Sequence, residues 1–437
     1  MTSTALDRKT TLVSIGIIGL MFFIFGFVSW VNAILIPYFK IACELSNFQS
    51  YLVAFAFYIS YLLMSMPASY ILKKLGYKNG IMVGFWIMAM GALLFVPAAY
   101  GRTYLIFLVG LFTLGTGLTL LQTVANLYIT LIGEKERAAQ RISMMGICNK
   151  GAGILAPLIF SYVILRPQDN TLFNQLEAMD ELSRAIALDE LILRVVWPYT
   201  VVSGVLFLIG VLVKFSILPE LDQQEAPIVD GQRINKKGIF QFPHLVLGAL
   251  AIFLHVGTQV IAIDTIINYA GSMGLSLLEA KALPSYTLTA TICGYLCGIV
   301  LIPKICSQRL ALKFCTILGL MLALLVCTSH GSVYFLNKDL DISVWFIVLI
   351  GLPNALIWAG IWPLALEGLG SYAKQGSALL IMGLSGNAVL PLLYGLWADA
   401  VDVRSAYWIL IPCFLYLVFY AFKGHRLRTW NIFNKQN

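Results

Sequence analysis

Long apolar runs, each about as long as a membrane is thick, decide what this chain can fold into. An α-helix rises 1.5 Å per residue, so about 20 apolar residues are needed to cross roughly 30 Å of hydrocarbon. We count twelve such runs in the 437 residues, and only 11% of the residues are charged. A soluble domain of this size would need more charge to cover its water-facing surface. The sequence therefore predicts a protein built from membrane-spanning helices.

The twelve runs also predict how the chain is oriented. The predicted spans cover residues 12–37, 49–72, 79–99, 104–132, 142–165, 195–218, 243–270, 282–305, 309–330, 341–369, 375–398 and 405–423. With the N-terminus inside, 20 of the 29 Lys and Arg residues fall on the cytoplasmic side, eight outside and one within a span. The positive-inside rule then predicts a multi-pass inner-membrane protein with both termini in the cytoplasm. The alternating pattern of transmembrane β-strands is absent, which excludes a β-barrel.

Two longer polar segments interrupt the spans. Residues 166–194 are acidic, and we expect them to be external and helical. The other segment, residues 219–242, is rich in charge, and we expect it to be cytoplasmic. It divides the chain into two groups of six spans. The predicted domains are an N-terminal six-helix bundle at 12–218, a cytoplasmic linker at 219–242 and a C-terminal six-helix bundle at 243–423.

A weak internal repeat relates the two groups of spans. Tyr61 and Tyr295 are 234 residues apart, and so are Pro157 and Pro391. Repeats of this kind are typical of transporters in which two bundles enclose a central binding site. The sequence thus predicts an all-α membrane protein with two pseudo-symmetric six-helix bundles.

Polar side chains inside the spans are the candidates for a substrate site. An unpartnered polar group in hydrocarbon is costly, so these residues are expected to face a cavity, a ligand or each other. Amides bind sugar hydroxyls and aromatic rings cover the apolar faces of sugars. The alternative is that each residue only bonds or packs between helices. The candidates are Trp30, Asn32, Gln122, Asn126, Asn149, Lys150, Gln259, Trp358 and Trp362.

Asp264 and Lys150 are ionisable residues placed deep within predicted spans. A charge at such depth costs at least about 2.5–3.5 kcal/mol. Asp264 has no basic neighbour in its own span, which predicts a coupling site for H+ or Na+. Lys150 either donates to sugar hydroxyls, contacts an anionic substrate or serves as a fixed internal cation. Their axial positions differ by roughly 10–15 Å, so a direct ion pair between them is not expected.

No motif supports catalysis. The chain has no phosphate-binding GxxxxGK[ST] loop and no zinc-binding HExxH pattern. The basic residues lie in short loops between spans, where they set topology, so no nucleic-acid partner is predicted. We expect a non-enzymatic monomer in the lipid bilayer, with no cofactor or resident metal ion.

Several segments resemble the major facilitator superfamily, and within it the family of fucose and glucose/galactose cation symporters. They are Phe22 to Phe27, Asn32 with Ile36 and Pro37, Leu45 to Gln49, Leu121 to Asn126, and Cys148 and Asn149 with Pro157. The resemblance covers nearly the whole chain. It implies two bundles that alternate access to a monosaccharide, with Asn126 and Asn149 at positions that line the site.

The resemblance also exposes a departure at the coupling residues. Fucose-type members carry a protonatable Asp after the residue matching Asn32 and a Glu in span four, whereas this chain has Ala33 and Gln122. Aligning span seven on span one with an offset of 231 places Asp264 on Ala33. We therefore expect the coupling carboxylate to have moved to the pseudo-symmetric helix.

The expected function is secondary active import of a monosaccharide of the glucose/galactose type, or of fucose or N-acetylglucosamine, coupled to H+ or Na+. An uncoupled sugar uniporter and an exporter of a small metabolite or drug remain as alternatives. A non-transporting receptor of the same fold would need a large added domain, for which the tail after residue 423 is too short.

Overall fold

The computed structural model describes residues 8–131, 138–216, 238–302, 307–335, 338–369 and 372–430, which are nearly all helical. Within these ranges twelve helical segments are long and apolar enough to cross a membrane. The predicted all-α, twelve-span architecture is confirmed. The chain is a multi-pass membrane protein.

Several spans consist of two helices in series. In the N-terminal half, span 1 comprises α1 (Arg8–Trp30) and α2 (Asn32–Ala42), span 2 α3 (Asn47–Tyr58) and α4 (Ser60–Leu75), span 3 α5 (Tyr77–Leu93) and α6 (Phe95–Tyr100), span 4 α7 (Tyr104–Leu131), span 5 α8 (Ala138–Ile164), and span 6 α11 (Val196–Phe215), preceded by α9 (Asp169–Gln175) and α10 (Glu181–Leu193). In the C-terminal half, span 7 is α12 (Pro243–Asp264), followed by α13 (Ile266–Ser272), span 8 α14 (Leu277–Ala280) and α15 (Leu283–Leu301), span 9 α16 (Gln308–Thr328), span 10 α17 (Ile342–Leu366), span 11 α18 (Ala373–Met382) and α19 (Gly386–Ala400), and span 12 α20 (Leu410–Phe422). An antiparallel hairpin, β1 (Ser332–Phe335) and β2 (Lys338–Asp341), joins spans 9 and 10.

Spans 1 and 7 differ from their predicted extents. Span 1 continues past Pro37 to Ala42, because Pro37 lies inside α2 and removes only one of its backbone hydrogen bonds. Span 7, predicted as continuous to residue 270, ends at Asp264 and restarts after Thr265. Interrupted helices in transporters expose backbone and side-chain polar groups to the substrate site.

The two halves repeat the same helix crossing. In the N-terminal half α1 packs on α8, and in the C-terminal half α12 packs on α19. A Cβ on Gly26 would collide with the backbone carbonyl of Asn149, and a Cβ on Gly386 with the carbonyl of Phe253. Spans 1 and 5 therefore cross as closely as spans 7 and 11, which agrees with the predicted pseudo-symmetry.

Two pairs of helices form the main contact between the halves. α3 packs on α19, and α8 packs on α15. In the second pair the Ser285 hydroxyl donates to the backbone carbonyl of Ile154 at 2.8 Å. Spans 2, 5, 8 and 11 thus border the space between the bundles.

The acidic segment between spans 5 and 6 is helical, as predicted. Its helices α9 and α10 are held by the Arg194–Asp169 salt bridge at 2.7 Å, whose side chains are only 10% and 2% exposed. The Tyr38 hydroxyl donates to the carbonyl of Leu191 and ties α10 to span 1. We call the end of the molecule that carries α9, α10 and the β-hairpin the hairpin end.

At the hairpin end, Asp399 of span 11 caps the N-terminus of α3 across the interface between the halves. One Asp399 carboxylate oxygen accepts from the Asn47 backbone N–H at 2.9 Å and from the Asn47 side-chain amide at 2.7 Å. The other accepts from the Phe48 N–H at 2.7 Å. A carboxylate at a helix N-terminus gains from charge-assisted bonds and from the helix dipole.

Asp399→Ala is expected to loosen the hairpin end, since it removes three hydrogen bonds that join the halves. Spin labels at Leu105 and Val401, which are 68% and 66% exposed in opposite halves, report the separation by electron–electron resonance. We expect a longer-distance population in Asp399→Ala. Asp402→Ala is the matched control, because Asp402 caps residues of its own half. Identical distance distributions for wild type and Asp399→Ala would contradict the prediction.

Candidate functional site

Lys150 is the central residue of the polar cluster between the halves. Its ammonium group donates to Gln259 Oε1 of span 7 at 3.1 Å. It also lies 4.1 Å from the centre of the Trp30 ring, a cation–π distance. Only 6% of Lys150 is exposed. Three predicted residues, from spans 1, 5 and 7, are thus in direct contact, and they come from both halves.

Trp30 is held in place by Asn149. The indole N–H donates to Asn149 Oδ1 at 3.3 Å, and the Asn149 amide donates to the carbonyl of Phe22 at 3.3 Å. Gly153, one turn after Asn149, leaves room for the indole, because a Cβ there would collide with the Trp30 ring. These contacts fix the orientation of the indole ring. We call Trp30, Asn149, Lys150 and Gln259 the Lys150 cluster.

Asn32 carries a buried amide with no hydrogen bond. It is 0% exposed, and neither side-chain atom has a partner among the described residues. The Tyr58 hydroxyl lies beside this amide but outside hydrogen-bond geometry, and it donates instead to the carbonyl of Ser29 at 3.4 Å. Buried amides are nearly always satisfied, so Asn32 is a candidate hydrogen-bonding group for the substrate.

Asp264 is the last residue of α12 and is also unsatisfied. It is 0% exposed, and both carboxylate oxygens lack a hydrogen-bond partner in the described part of the chain. Its electrostatic neighbours are Lys150, Tyr51 and Tyr58, all from the N-terminal half. No salt bridge within 4.0 Å joins Asp264 to Lys150, as their axial positions predicted. The carboxylate therefore sits at the interface between the halves.

His255 lies one helical turn before Gln259 on α12. It is 0% exposed, and neither ring nitrogen has a partner among the described residues. It lies within electrostatic range of Lys150. Span 7 thus contributes an imidazole, an amide and a carboxylate to the region between the halves.

Among the described side chains, Gln122, Trp358 and Trp362 make no hydrogen bond or ring contact with the Lys150 cluster. Gln122 is half-buried beside the Tyr61 hydroxyl. Asn126 belongs to α7, but its side chain lies outside the described part of the structure. Trp358 and Trp362 of α17 pack on each other with ring centres 5.2 Å apart. The structure therefore does not join all predicted residues in one bonded cluster.

Asn354 is a residue that sequence reasoning missed. It is 1% exposed, and both atoms of its amide lack a partner among the described residues. Asn354, Trp358 and Trp362 follow one another at intervals of four, which places them on one face of α17. That spacing was the available signal, and it extends the candidate site to a second helix of the C-terminal half.

Comparisons with known proteins agree with this architecture. A family model described as Major Facilitator Superfamily matches residues 18–386. The "Glucose/galactose transporter" of Brucella abortus biovar 1 (strain 9-941) is 32% identical over 411 residues, which cover 93% of each chain. The "L-fucose-proton symporter" of Escherichia coli (strain K12) is 26% identical, over 97% of this chain and 95% of the relative.

Solved structures give the same result. A crystal structure of the transporter FucP in the outward conformation matches with a TM-score of 0.69 and 26% identity, over 94% of this chain and 98% of that one. A bacterial homologue of the lysosomal transporter Spinster, in an inward-facing conformation, has a TM-score of 0.61 and 16% identity, which shows the fold alone. The chain therefore belongs to the major facilitator superfamily, a family of transport proteins rather than enzymes.

Proposed function

We propose that this protein is a secondary active transporter that imports a monosaccharide by alternating access, coupled to a cation. The observation that carries the proposal is the Lys150–Gln259 hydrogen bond, which joins spans 5 and 7 beside Trp30 and Asn149. A ligand at this point contacts both halves. Its binding can therefore be linked to their relative movement.

The chemistry of the Lys150 cluster suits a sugar. The cluster offers an indole ring, two amides and an ammonium group, which can stack on a pyranose and bond to its hydroxyls. The relatives named as glucose/galactose transporters and fucose symporters support a hexose substrate. Glucose and galactose are the first candidates, followed by fucose and N-acetylglucosamine.

We assign the coupling cation to Asp264. A buried carboxylate with no partner is stabilised when it binds a proton or a metal cation. The relative named as a fucose–proton symporter favours H+. Sodium coupling and uncoupled uniport are the alternatives, and uptake into proteoliposomes under imposed gradients distinguishes them. The energy comes from the cation gradient, and no nucleotide is used.

The proposed setting is the inner membrane, with both termini in the cytoplasm and the hairpin end outside. The proposed domains are the bundles at 12–218 and 243–423, joined by a cytoplasmic linker at 219–242. Of this linker only residues 238–242 are among those described, and they include a single 3-10 turn. We propose that one chain suffices for transport, because both halves of the site come from the same chain.

Asn149→Ala is expected to weaken sugar binding about tenfold, since it removes a half-buried hydrogen-bonding amide and the hydrogen bond that holds the Trp30 ring. Binding of glucose and galactose to purified protein, followed by tryptophan fluorescence, measures the change. Trp30→Ala should weaken binding by a similar factor. Asn79→Ala is the control, because among the described residues its amide bonds only to the carbonyl of Leu75, outside the site. Unchanged affinity in Asn149→Ala and Trp30→Ala would remove both residues from the sugar site.

Sugar counterflow in proteoliposomes tests the substrate class directly. Vesicles preloaded with one unlabelled sugar are diluted into a trace of the labelled sugar, with no cation gradient. We expect transient accumulation with at least one hexose of the panel glucose, galactose, fucose and N-acetylglucosamine. No counterflow with any sugar would reject the proposed substrate class.

A further inference from the structure

The buried ammonium group of Lys150 has more donors than acceptors. An ammonium carries three N–H donors, and in the described part of the chain Gln259 Oε1 is its one hydrogen-bond acceptor. The ammonium group also lies over the face of the Trp30 ring, which does not accept a normal hydrogen bond. No carboxylate lies within 4.0 Å of Lys150 among these residues. A side chain that is 6% exposed thus has at least one N–H donor left for a ligand.

The charged and titratable groups that act on Lys150 among the described residues come from span 7. They are Asp264 and His255, and span 1 adds the face of the Trp30 ring. Tyr58 of span 2 acts on Asp264. Asp264 is the single carboxylate of this set, and it acts on Lys150 from a distance. When both groups are ionised, their charges balance.

Cation uptake at Asp264 removes that balance. A bound proton or sodium ion cancels the carboxylate charge, and a protonated Lys150 would then be an uncompensated charge in a buried site unless the substrate supplies a negative group. An unpaired buried charge is costly, so the loaded transporter gains from a negative charge on the substrate. A neutral hexose offers hydroxyl oxygens to Lys150 but no charge.

We propose that the substrate is a monosaccharide that carries a carboxylate, such as a hexuronic acid of the glucose or galactose series. This inference rests on the proposed function and narrows its substrate. The carboxylate accepts from Lys150, the sugar hydroxyls bond to the Asn149 and Gln259 amides, and the pyranose ring lies against Trp30. The loaded site then holds one positive and one negative group in contact.

Counterflow with matched pairs of sugars tests the inference. Glucuronate is compared with glucose, and galacturonate with galactose, in wild type, Lys150→Gln and Lys150→Arg. We expect wild type to bind the acids at least about tenfold more tightly than the neutral sugars, as for a charge-assisted hydrogen bond. Lys150→Gln should abolish this preference, so that the acid and the neutral sugar of each pair bind with equal affinity, and Lys150→Arg should preserve the preference because it keeps the positive charge.

The outcomes separate the inference from the proposed function. If neutral hexoses exchange and the acids do not, or if Lys150→Gln weakens both sugars equally, the inference is wrong and the proposed function stands. If no sugar exchanges in wild type, the proposed function fails as well. Retention of the preference by Lys150→Arg shows that loss in Lys150→Gln reflects charge and not misfolding.

Discussion

Asp264→Asn is expected to abolish gradient-driven accumulation of the sugar while its exchange continues. The amide keeps the size of the carboxylate but can neither bind a proton nor hold a charge for sodium. A gradient of one pH unit stores about 1.4 kcal/mol per proton, enough for about tenfold accumulation. The variant should therefore only equilibrate the sugar, at a ratio of about one. Steady-state uptake and counterflow in the same proteoliposomes measure the two activities.

Asp339→Asn is the matched control for this prediction. Asp339 is an exposed carboxylate in the β-hairpin, outside the spans. Its variant should accumulate sugar as wild type does. If Asp264→Asn also accumulates sugar against its gradient, the coupling site lies elsewhere, and His255 becomes the next group to test.

Gly26→Ala is expected to prevent normal folding, because spans 1 and 5 touch at this residue. The added Cβ would meet the backbone carbonyl of Asn149, which belongs to a helix and cannot rotate away. Overpacking of this kind typically costs 1–3 kcal/mol and sometimes more. We expect a lower Tm and a loss of monodisperse protein in fluorescence-detected size exclusion. Any remaining folded protein should bind sugar poorly, because Asn149 and Trp30 are displaced together.

Gly16→Ala provides a control in the same helix. A Cβ at Gly16 has no atom within 4 Å, and alanine has a higher helix propensity than glycine by about 1 kcal/mol. This variant should be as stable as wild type or more stable. If Gly26→Ala behaved like Gly16→Ala, the close packing of α1 on α8 would be wrong.

Much of the architecture could be predicted because the bilayer imposes a simple rule. Any helix that crosses it must be apolar over about 20 residues, so the spans are visible as runs in the sequence. The same rule makes polar residues conspicuous. Trp30, Asn149, Lys150 and Gln259 were selected by residue type and depth alone, and the structure brings them into contact.

The features that could not be predicted depend on contacts between distant segments. Which face of a span meets the other half depends on helix rotation, which a uniformly apolar run does not encode. The Lys150–Gln259 contact and the Asp399 cap join residues more than 100 positions apart. Asn354 was missed because it sits among apolar residues in span 10, and its unsatisfied amide is visible only in three dimensions.

The helix breaks in spans 1 and 7 could not be predicted from the sequence either. Val31 and Thr265 are ordinary residues with no Gly or Pro at the break, and tertiary packing sets the backbone there. As a result Asp264 was placed within a continuous helix, whereas it ends one. At this helix end the Asp264 carboxylate lies at the interface between the halves, near Tyr51, Tyr58 and Lys150.

The most direct test of cation-coupled sugar import is uptake by wild-type protein in proteoliposomes under an imposed gradient. An inward proton gradient, an inward sodium gradient and no gradient are compared for each sugar of the neutral and acidic panels. Our account predicts accumulation of at least one sugar above its external concentration under one gradient, and collapse of that accumulation when the gradient is dissipated by a protonophore or a sodium ionophore. Equilibration at the same rate and to the same level under all three conditions would contradict it and identify the protein as a uniporter.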